Sequence, residues 1–169
     1  MILFDQIAVQ LPAWRERVNR LKKDHGNFKV GDVTVDQIYS GIRDVQIQVS
    51  DISYVDPHQG IRLRGYTIPE VMALLPKAED SHYPLAGGLY YLLLVDAIPN
   101  QAQAQAVEDE WKRRSAVPGQ VYDVIRAMPP ETHPMTLLSQ AILALLPESV
   151  FSRRYTLGFQ KVDYWVAYL

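Results

Sequence analysis

From Phe4 to Asp24 the apolar residues Ile7, Leu11, Trp14, Val18 and Leu21 recur every three or four positions, which places them on one side of an α-helix. The helix is expected to stop at His25-Gly26-Asn27, with Gly26 in the left-handed conformation and His25 facing the negative end of the helix dipole. The period then becomes two. Val45, Ile47 and Val49 alternate with Gln46, Gln48 and Ser50, predicting one short strand within 45–55, and Ile61-Arg62-Leu63-Arg64 alternates after the turn Asp56-Pro57-His58-Gln59-Gly60. The two are expected to pair as a small hairpin near residues 45–64, and the alternation gives Arg62 and Arg64 a structural role in it.

Beyond the hairpin the period is helical again, over Ile68–Leu75, Leu85–Ala97, Ala102–Ala116, Gly119–Met128 and Met135–Leu146. Prolines at 76, 84, 99, 118, 129, 130, 134 and 147 fall between these segments, where a missing amide donor does least harm. The chain therefore reads as a mainly α, multi-helical fold of short helices. Two segments, Leu89–Val95 and Leu137–Leu146, are apolar on nearly every side, which favours burial against another polypeptide. Phe159–Leu169 is helix-compatible and its end, Tyr164-Trp165-Val166-Ala167-Tyr168-Leu169, carries no stop signal, so either the sequence is cut from a longer chain or a second chain covers this end.

Composition narrows the function classes. With 169 residues, 48% hydrophobic and 21% charged, the chain has the balance of a globular domain. The formal net charge of -2 offers no general field for nucleic acid or an anionic membrane. The absence of cysteine removes disulfides, thiolate metal sites and a cysteine nucleophile, and fits a cytoplasmic location. Arg15, Arg17, Arg20, Lys22 and Lys23 are interspersed with Glu16 and Asp24, so the first segment reads as a mature helix rather than a transit peptide. The longest apolar run falls far short of the roughly 20 residues needed to span a bilayer. The histidines, His25, His58, His82 and His133, lie in turns or beside helix ends and none pairs with a carboxylate at a catalytic spacing.

Gly60-Ile61-Arg62-Leu63-Arg64-Gly65-Tyr66-Thr67-Ile68-Pro69, preceded by Val55-Asp56-Pro57 and followed by Glu70 and Leu74-Leu75-Pro76-Lys77-Ala78, resembles the citrate synthase family, in its eukaryote-type members. The likeness continues in order through Val30-Gly31, Thr34-Val35-Asp36, Tyr39-Ser40-Gly41-Ile42-Arg43, Glu110-Trp111-Lys112-Arg113-Arg114 and His133-Pro134-Met135. It extends to Leu138-Ser139, Ala141-Ile142, Ala144-Leu145, Glu148-Ser149, Phe151, Arg153, Tyr155, Gly158 and Tyr164-Trp165.

The resemblance implies that residues 1–169 form the N-terminal part of a large, almost wholly helical domain, without the small domain or the catalytic region. The family condenses acetyl-CoA with oxaloacetate and hydrolyses citryl-CoA, a chemistry that needs a placed carboxylate base and donors to the enolate oxygen. Those groups, an aspartate and two histidines, and the oxaloacetate-binding arginines belong to the part of the family pattern beyond this sequence. No catalytic residue and no metal ligand is therefore assigned here. Two positions match the family's coenzyme A phosphate contacts: Arg43, by its Tyr39-Ser40-Gly41-Ile42 context, and Lys161, where arginine is usual. Lysine keeps the charge and loses the planar two-donor fork.

The resulting expectation is the N-terminal subunit of a divided citrate synthase. It would use acetyl-CoA as a substrate, hold no tightly bound cofactor, be inactive alone, and work in a hetero-oligomer built around a dimer of assembled units. The alternative is a non-catalytic interaction or assembly protein derived from such a fragment. Citrate and 2-methylcitrate synthesis are not separated, because the acyl pocket lies outside the sequence.

Overall fold

The computed structural model describes residues 2–45, 49–160 and 164–168, which divide into two compact units, 1–108 and 109–169. In order the elements are α1 (Ile2–His25), α2 (Val35–Tyr39), β1 (Ser53–Asp56), β2 (Gly60–Leu63), β3 (Tyr66–Thr67) and α3 (Ile68–Leu74). Then come α4 (Ala86–Val95), α5 (Gln101–Arg113), α6 (Gly119–Arg126), α7 (Pro134–Ala144), α8 (Val150–Thr156) and α9 (Trp165–Tyr168). The mainly helical reading holds, and α1 and α3 to α7 end within a few residues of their expected bounds; α8 answers to no expected segment, and of Phe159–Leu169 only Trp165–Tyr168 is helix among the described residues.

The hairpin is smaller at one end and larger at the other than the alternation suggests. Only Ser53–Asp56 of the 45–55 segment is a strand, Gln46, Ile47 and Gln48 lie outside the described residues, and a third strand follows. β1, β2 and β3 form an antiparallel sheet in that order, with Tyr54 opposite Arg62 and Leu63 opposite Tyr66. Arg64 is not a strand residue. Arg64 and Gly65, with φ of 49° and 85°, make the two-residue turn between β2 and β3, where positive φ at both positions matches the twist of the strands.

Gly26 also departs from expectation, since it is not left-handed; a Cβ there would lie 2.3 Å from the carbonyl oxygen of Lys22, so the close turn itself demands glycine. Two helix starts carry a capping box. Thr34 with Gln37 and Thr67 with Glu70 each exchange side-chain and backbone hydrogen bonds, satisfying otherwise orphaned amides of α2 and α3.

In the first unit Val71, Leu75 and Leu92 form a buried cluster, flanked by Leu63, Tyr66, Leu89 and Ile98. This is the core that seats α3 and the sheet against α4. The start of α1 also packs on α4, burying Leu3. α4 meets α5 closely through Gly87 and Gly88, and Ala104 and Val107 of α5 are buried.

In the second unit α6 packs on α7 and α8 on α9, where the rings of Phe151 and Tyr164 stand 4.8 Å apart. The two all-apolar segments thus have different fates. α4 buries Gly87, Gly88, Tyr91, Leu92 and Val95, whereas α7 buries no residue. Among the described residues no single helix is long and apolar enough to cross a membrane; one bent pair, Pro134–Glu148 with Val150–Thr156 at 55°, reaches that threshold together, by length and composition only.

Candidate functional site

Arg43 stands on a turn built by its neighbours. Gln37, already fixed by the Thr34 cap, donates from its side-chain amide to the Arg43 carbonyl at 3.2 Å. Within the same turn Ile42 donates its backbone N–H to the Gln37 carbonyl at 2.6 Å. Gly41, Ile42 and Asp44 all have positive φ, at 84°, 58° and 60°. For a β-branched residue such as Ile42 this conformation is unfavourable by about 1–3 kcal/mol, and such strain concentrates where geometry serves a ligand or a switch.

The turn leaves Arg43 exposed, and its guanidinium forms no ion pair among the described residues. A planar, permanently charged fork on a rigid turn can meet a phosphate with two parallel hydrogen bonds. The turn carries Arg43 as a sequence-derived candidate, and Gln37 is its support, which periodicity had not singled out. The T-x-x-Q spacing from Thr34 to Gln37 was the available signal. Lys161 lies outside the described residues.

The two hairpin arginines are tied to the scaffold. Arg62 donates to the Gly65 carbonyl at 3.2 Å and to the Gln59 side chain at 3.3 Å. Arg64, whose side chain is 7% exposed, donates from Nε and Nη2 to the Leu93 carbonyl at 3.0 and 2.6 Å, and from Nη1 to the Asp51 carbonyl at 3.3 Å. It thereby ties the β2–β3 turn to the last turn of α4, where unpaired carbonyls collect.

The carboxylates with displaced pKa values have local causes. Hydrogen bonds donated by the Thr67 hydroxyl and backbone N–H to its carboxylate hold Glu70 below its usual value, and backbone N–H groups of His58 and Gln59 do the same for Asp56. Glu110 is lowered by Arg113 first and then by Arg114. Burial raises the Tyr91 phenol, which accepts a hydrogen bond from Gln103. All four histidines are exposed; His133 uses Nδ1 to accept the Met135 amide at the start of α7, a capping role. Among the described residues no three potential ligands cluster as a metal site. An apolar concavity of about 550 Å³ is lined by Leu146, Pro147, Ser152, Thr156 and Leu157 with Arg153, whose guanidinium donates to the Pro147 carbonyl.

The largest chemical feature is uncovered apolar surface. On α7, Met135, Leu138, Ile142 and Leu143 are 51–64% exposed. Contiguous exposed apolar surface marks interaction sites in general.

The family model described as citrate synthase, C-terminal domain, matches residues 41–166. Among curated relatives, the chain is 41% identical over 163 residues to the probable mitochondrial citrate synthase of Glossina morsitans morsitans, covering 96% of this chain and 35% of the relative. It is 43% identical to the mitochondrial citrate synthase of Aspergillus niger, and 40% to that of Xiphias gladius, each with 96% of this chain covered. The chain spans about a third of the length of these relatives.

Proposed function

Because this chain belongs to the citrate synthase family, we propose that it is the N-terminal subunit of a divided citrate synthase. A second polypeptide supplies the catalytic aspartate and histidines and the oxaloacetate-binding arginines. The assembled unit condenses acetyl-CoA with oxaloacetate, and pairs of units form the hetero-oligomer.

The observation that supports a citrate synthase function is the alignment, at 41% and 43% identity over 96% of this chain. The uncovered apolar face of α7 supports the subunit reading, since a subunit made to be completed would leave such a face. In the assembly Arg43 and Lys161 contact coenzyme A phosphates, which are distant from the reacting carbon. Acetyl-CoA is then a dissociable substrate. The work takes place in the cytoplasm on this reading, while the three relatives are named as mitochondrial; fractionation of the source cell separates the two.

The test measures CoA release from acetyl-CoA and oxaloacetate by this chain, by a chain carrying the rest of the family pattern from the same genome, and by the two mixed. Activity is expected only in the mixture. A silent mixture that nevertheless forms a stable complex would instead support a non-catalytic assembly protein. Turnover by this chain alone would overturn the assignment of the catalytic groups elsewhere. Propionyl-CoA in a parallel assay separates 2-methylcitrate from citrate synthesis.

A further inference from the structure

Gln37 holds the Ile42–Arg43 dipeptide at both ends. Its backbone carbonyl accepts the Ile42 N–H at 2.6 Å, and its side-chain Nε2 donates to the Arg43 carbonyl at 3.2 Å. The other polar atom of the side chain is also committed, because Oε1 accepts the Thr34 backbone N–H at 3.0 Å and so closes the capping box of α2. The half-buried amide thus serves the helix cap with its oxygen and the Arg43 turn with its nitrogen. A capping box needs only an acceptor at this position, so either glutamate or glutamine suffices. The box at α3 is the simpler case: Glu70 closes it through Oε2, which takes both the Thr67 N–H and the Thr67 hydroxyl at 2.7 Å. At position 37 a donor is in use as well, and of the two residues only glutamine has one.

We propose that Gln37 is a positioning residue for coenzyme A, acting on its phosphates through Arg43; for its ligand the inference rests on the enzyme reading. Gly41, Ile42 and Asp44 lie in the left-handed region, with φ of 84°, 58° and 60°, and a β-branched residue stays there only where its surroundings hold it. Gln37 supplies two of the holding contacts, one before the Ile42 Cα and one after the Arg43 Cα. With the Arg43 carbonyl released, Ile42 and Asp44 are free to return to right-handed or extended backbone, and the direction in which the Arg43 side chain leaves the turn changes with them. A two-donor contact to phosphate depends on that direction, because the planar fork must meet two oxygens at once. The tether fixes before binding what the phosphate would otherwise have to order.

Two substitutions isolate the donor. Gln37→Glu keeps the cap acceptor and adds a charge, Gln37→Met adds no charge and loses the acceptor, and both remove the tether to Arg43. In the assembled enzyme each should raise the KM for acetyl-CoA about three- to fivefold, less than removal of the guanidinium itself, with kcat and the oxaloacetate KM within about twofold. In an Arg43→Ala background neither should change the acetyl-CoA KM by more than about 1.5-fold, since a residue acting through Arg43 has nothing left to orient. A second readout needs no turnover. The Asp44 N–H shares a peptide plane with the Arg43 carbonyl, so in proton–nitrogen correlation spectra of the full chain both substitutions should move the Asp44 amide and leave the signals of α3 to α5 in place. A KM effect from one substitution alone would trace to charge or cap, and an undiminished effect without Arg43 would trace to another route; either overturns the proposal. An unmoved Asp44 amide overturns it too, as does an unchanged KM in both variants where Arg43→Ala raises it. A silent mixture, or an Arg43→Ala enzyme with the parent's acetyl-CoA KM, instead defeats the enzyme reading, and the coenzyme role of Gln37 falls with it even where the Asp44 amide responds.

Discussion

The backbone N–H of Gly87 donates to the carboxylate of Glu108 across 2.7 Å, so α4 receives its N-terminal cap from α5. Leu85, at the cap position, has no side-chain acceptor to offer. A carboxylate at this place satisfies an orphaned amide and opposes the positive end of the helix dipole. The contact needs the two helices close: a Cβ at Gly87 would lie 2.8 Å from the Ala104 carbonyl oxygen and 3.0 Å from the Val107 Cβ. Gly87→Ala should therefore cost about 1–3 kcal/mol by forcing the helices apart. Glu108→Ala should cost about 1.5–3 kcal/mol through the lost charge-assisted bond, and Glu108→Gln less than either. At about 2–4 °C per kcal/mol, thermal melts resolve the series. A Gly87→Ala protein melting with the parent would contradict the close packing.

Arg64 makes a second test of the first unit. Its left-handed backbone is unfavourable for an arginine, yet its guanidinium holds the Leu93 and Asp51 carbonyls from a nearly buried position. Arg64→Gly relieves the backbone and removes the tie; Arg64→Lys keeps a charge but cannot reproduce the fork. Both should lower stability, by about 1–3 kcal/mol, because the contacts to the helix-end Leu93 carbonyl and the Asp51 carbonyl outweigh a turn preference. Denaturant melts decide it, and a stabilised Arg64→Gly would show that the turn strain dominates.

These two residues also show what the sequence could and could not reveal. The period of three or four along α1 and the prolines between helices announced most helices, because both are local signals. The partner of Arg64 is 29 positions away, so alternation alone placed it in a strand when it belongs to the turn. Gly87 and Glu108 are similarly distant, and nothing at either position signals the other. α4 and α7 look alike as apolar segments; which is covered depends on helix packing that periodicity does not encode. Arg43 was legible only through its neighbours' resemblance to a family, and the strained Ile42 beside it required coordinates.

The cap of α3 predicts a pH response. Glu70 is held below its ordinary value by Thr67, so the folded protein releases that proton more readily than the unfolded chain. Its stabilisation is fully present above the unfolded carboxyl value of about 4.3 and is lost as pH falls through the lower folded value. Glu70→Gln should flatten this part of the stability profile while preserving the capping geometry. Melting temperatures measured from pH 6 down to pH 3 supply the comparison. Parallel profiles for parent and variant would remove Glu70 from the acid response.

For Arg43, Arg43→Ala in the assembled enzyme should raise the KM for acetyl-CoA about tenfold, the equivalent of one charge-assisted phosphate contact, with the oxaloacetate KM nearly unchanged. Arg43→Lys should fall between, since it retains charge without the fork. Desphospho-CoA thioesters narrow the assignment further: if the 3′-phosphate is the partner, parent and Arg43→Ala should handle them alike. An unchanged acetyl-CoA KM would exclude Arg43 from the coenzyme site.

The exposed face of α7 separates folding from assembly. Ile142 is 60% exposed and α7 buries no residue within the chain, so Ile142→Asp should alter the isolated chain's stability by no more than about 0.5 kcal/mol. In an assembled interface the same carboxylate would lose its water without a partner, at a cost of several kcal/mol, and a tenfold weaker Kd needs only about 1.4 kcal/mol. Analytical ultracentrifugation of the chain with its completing polypeptide should therefore show dissociation at micromolar concentration for Ile142→Asp, and Ile142→Val should leave association intact. Equal loss of thermal stability in the isolated chain would place Ile142 in the chain's own core, and full association of Ile142→Asp would remove α7 from the interface.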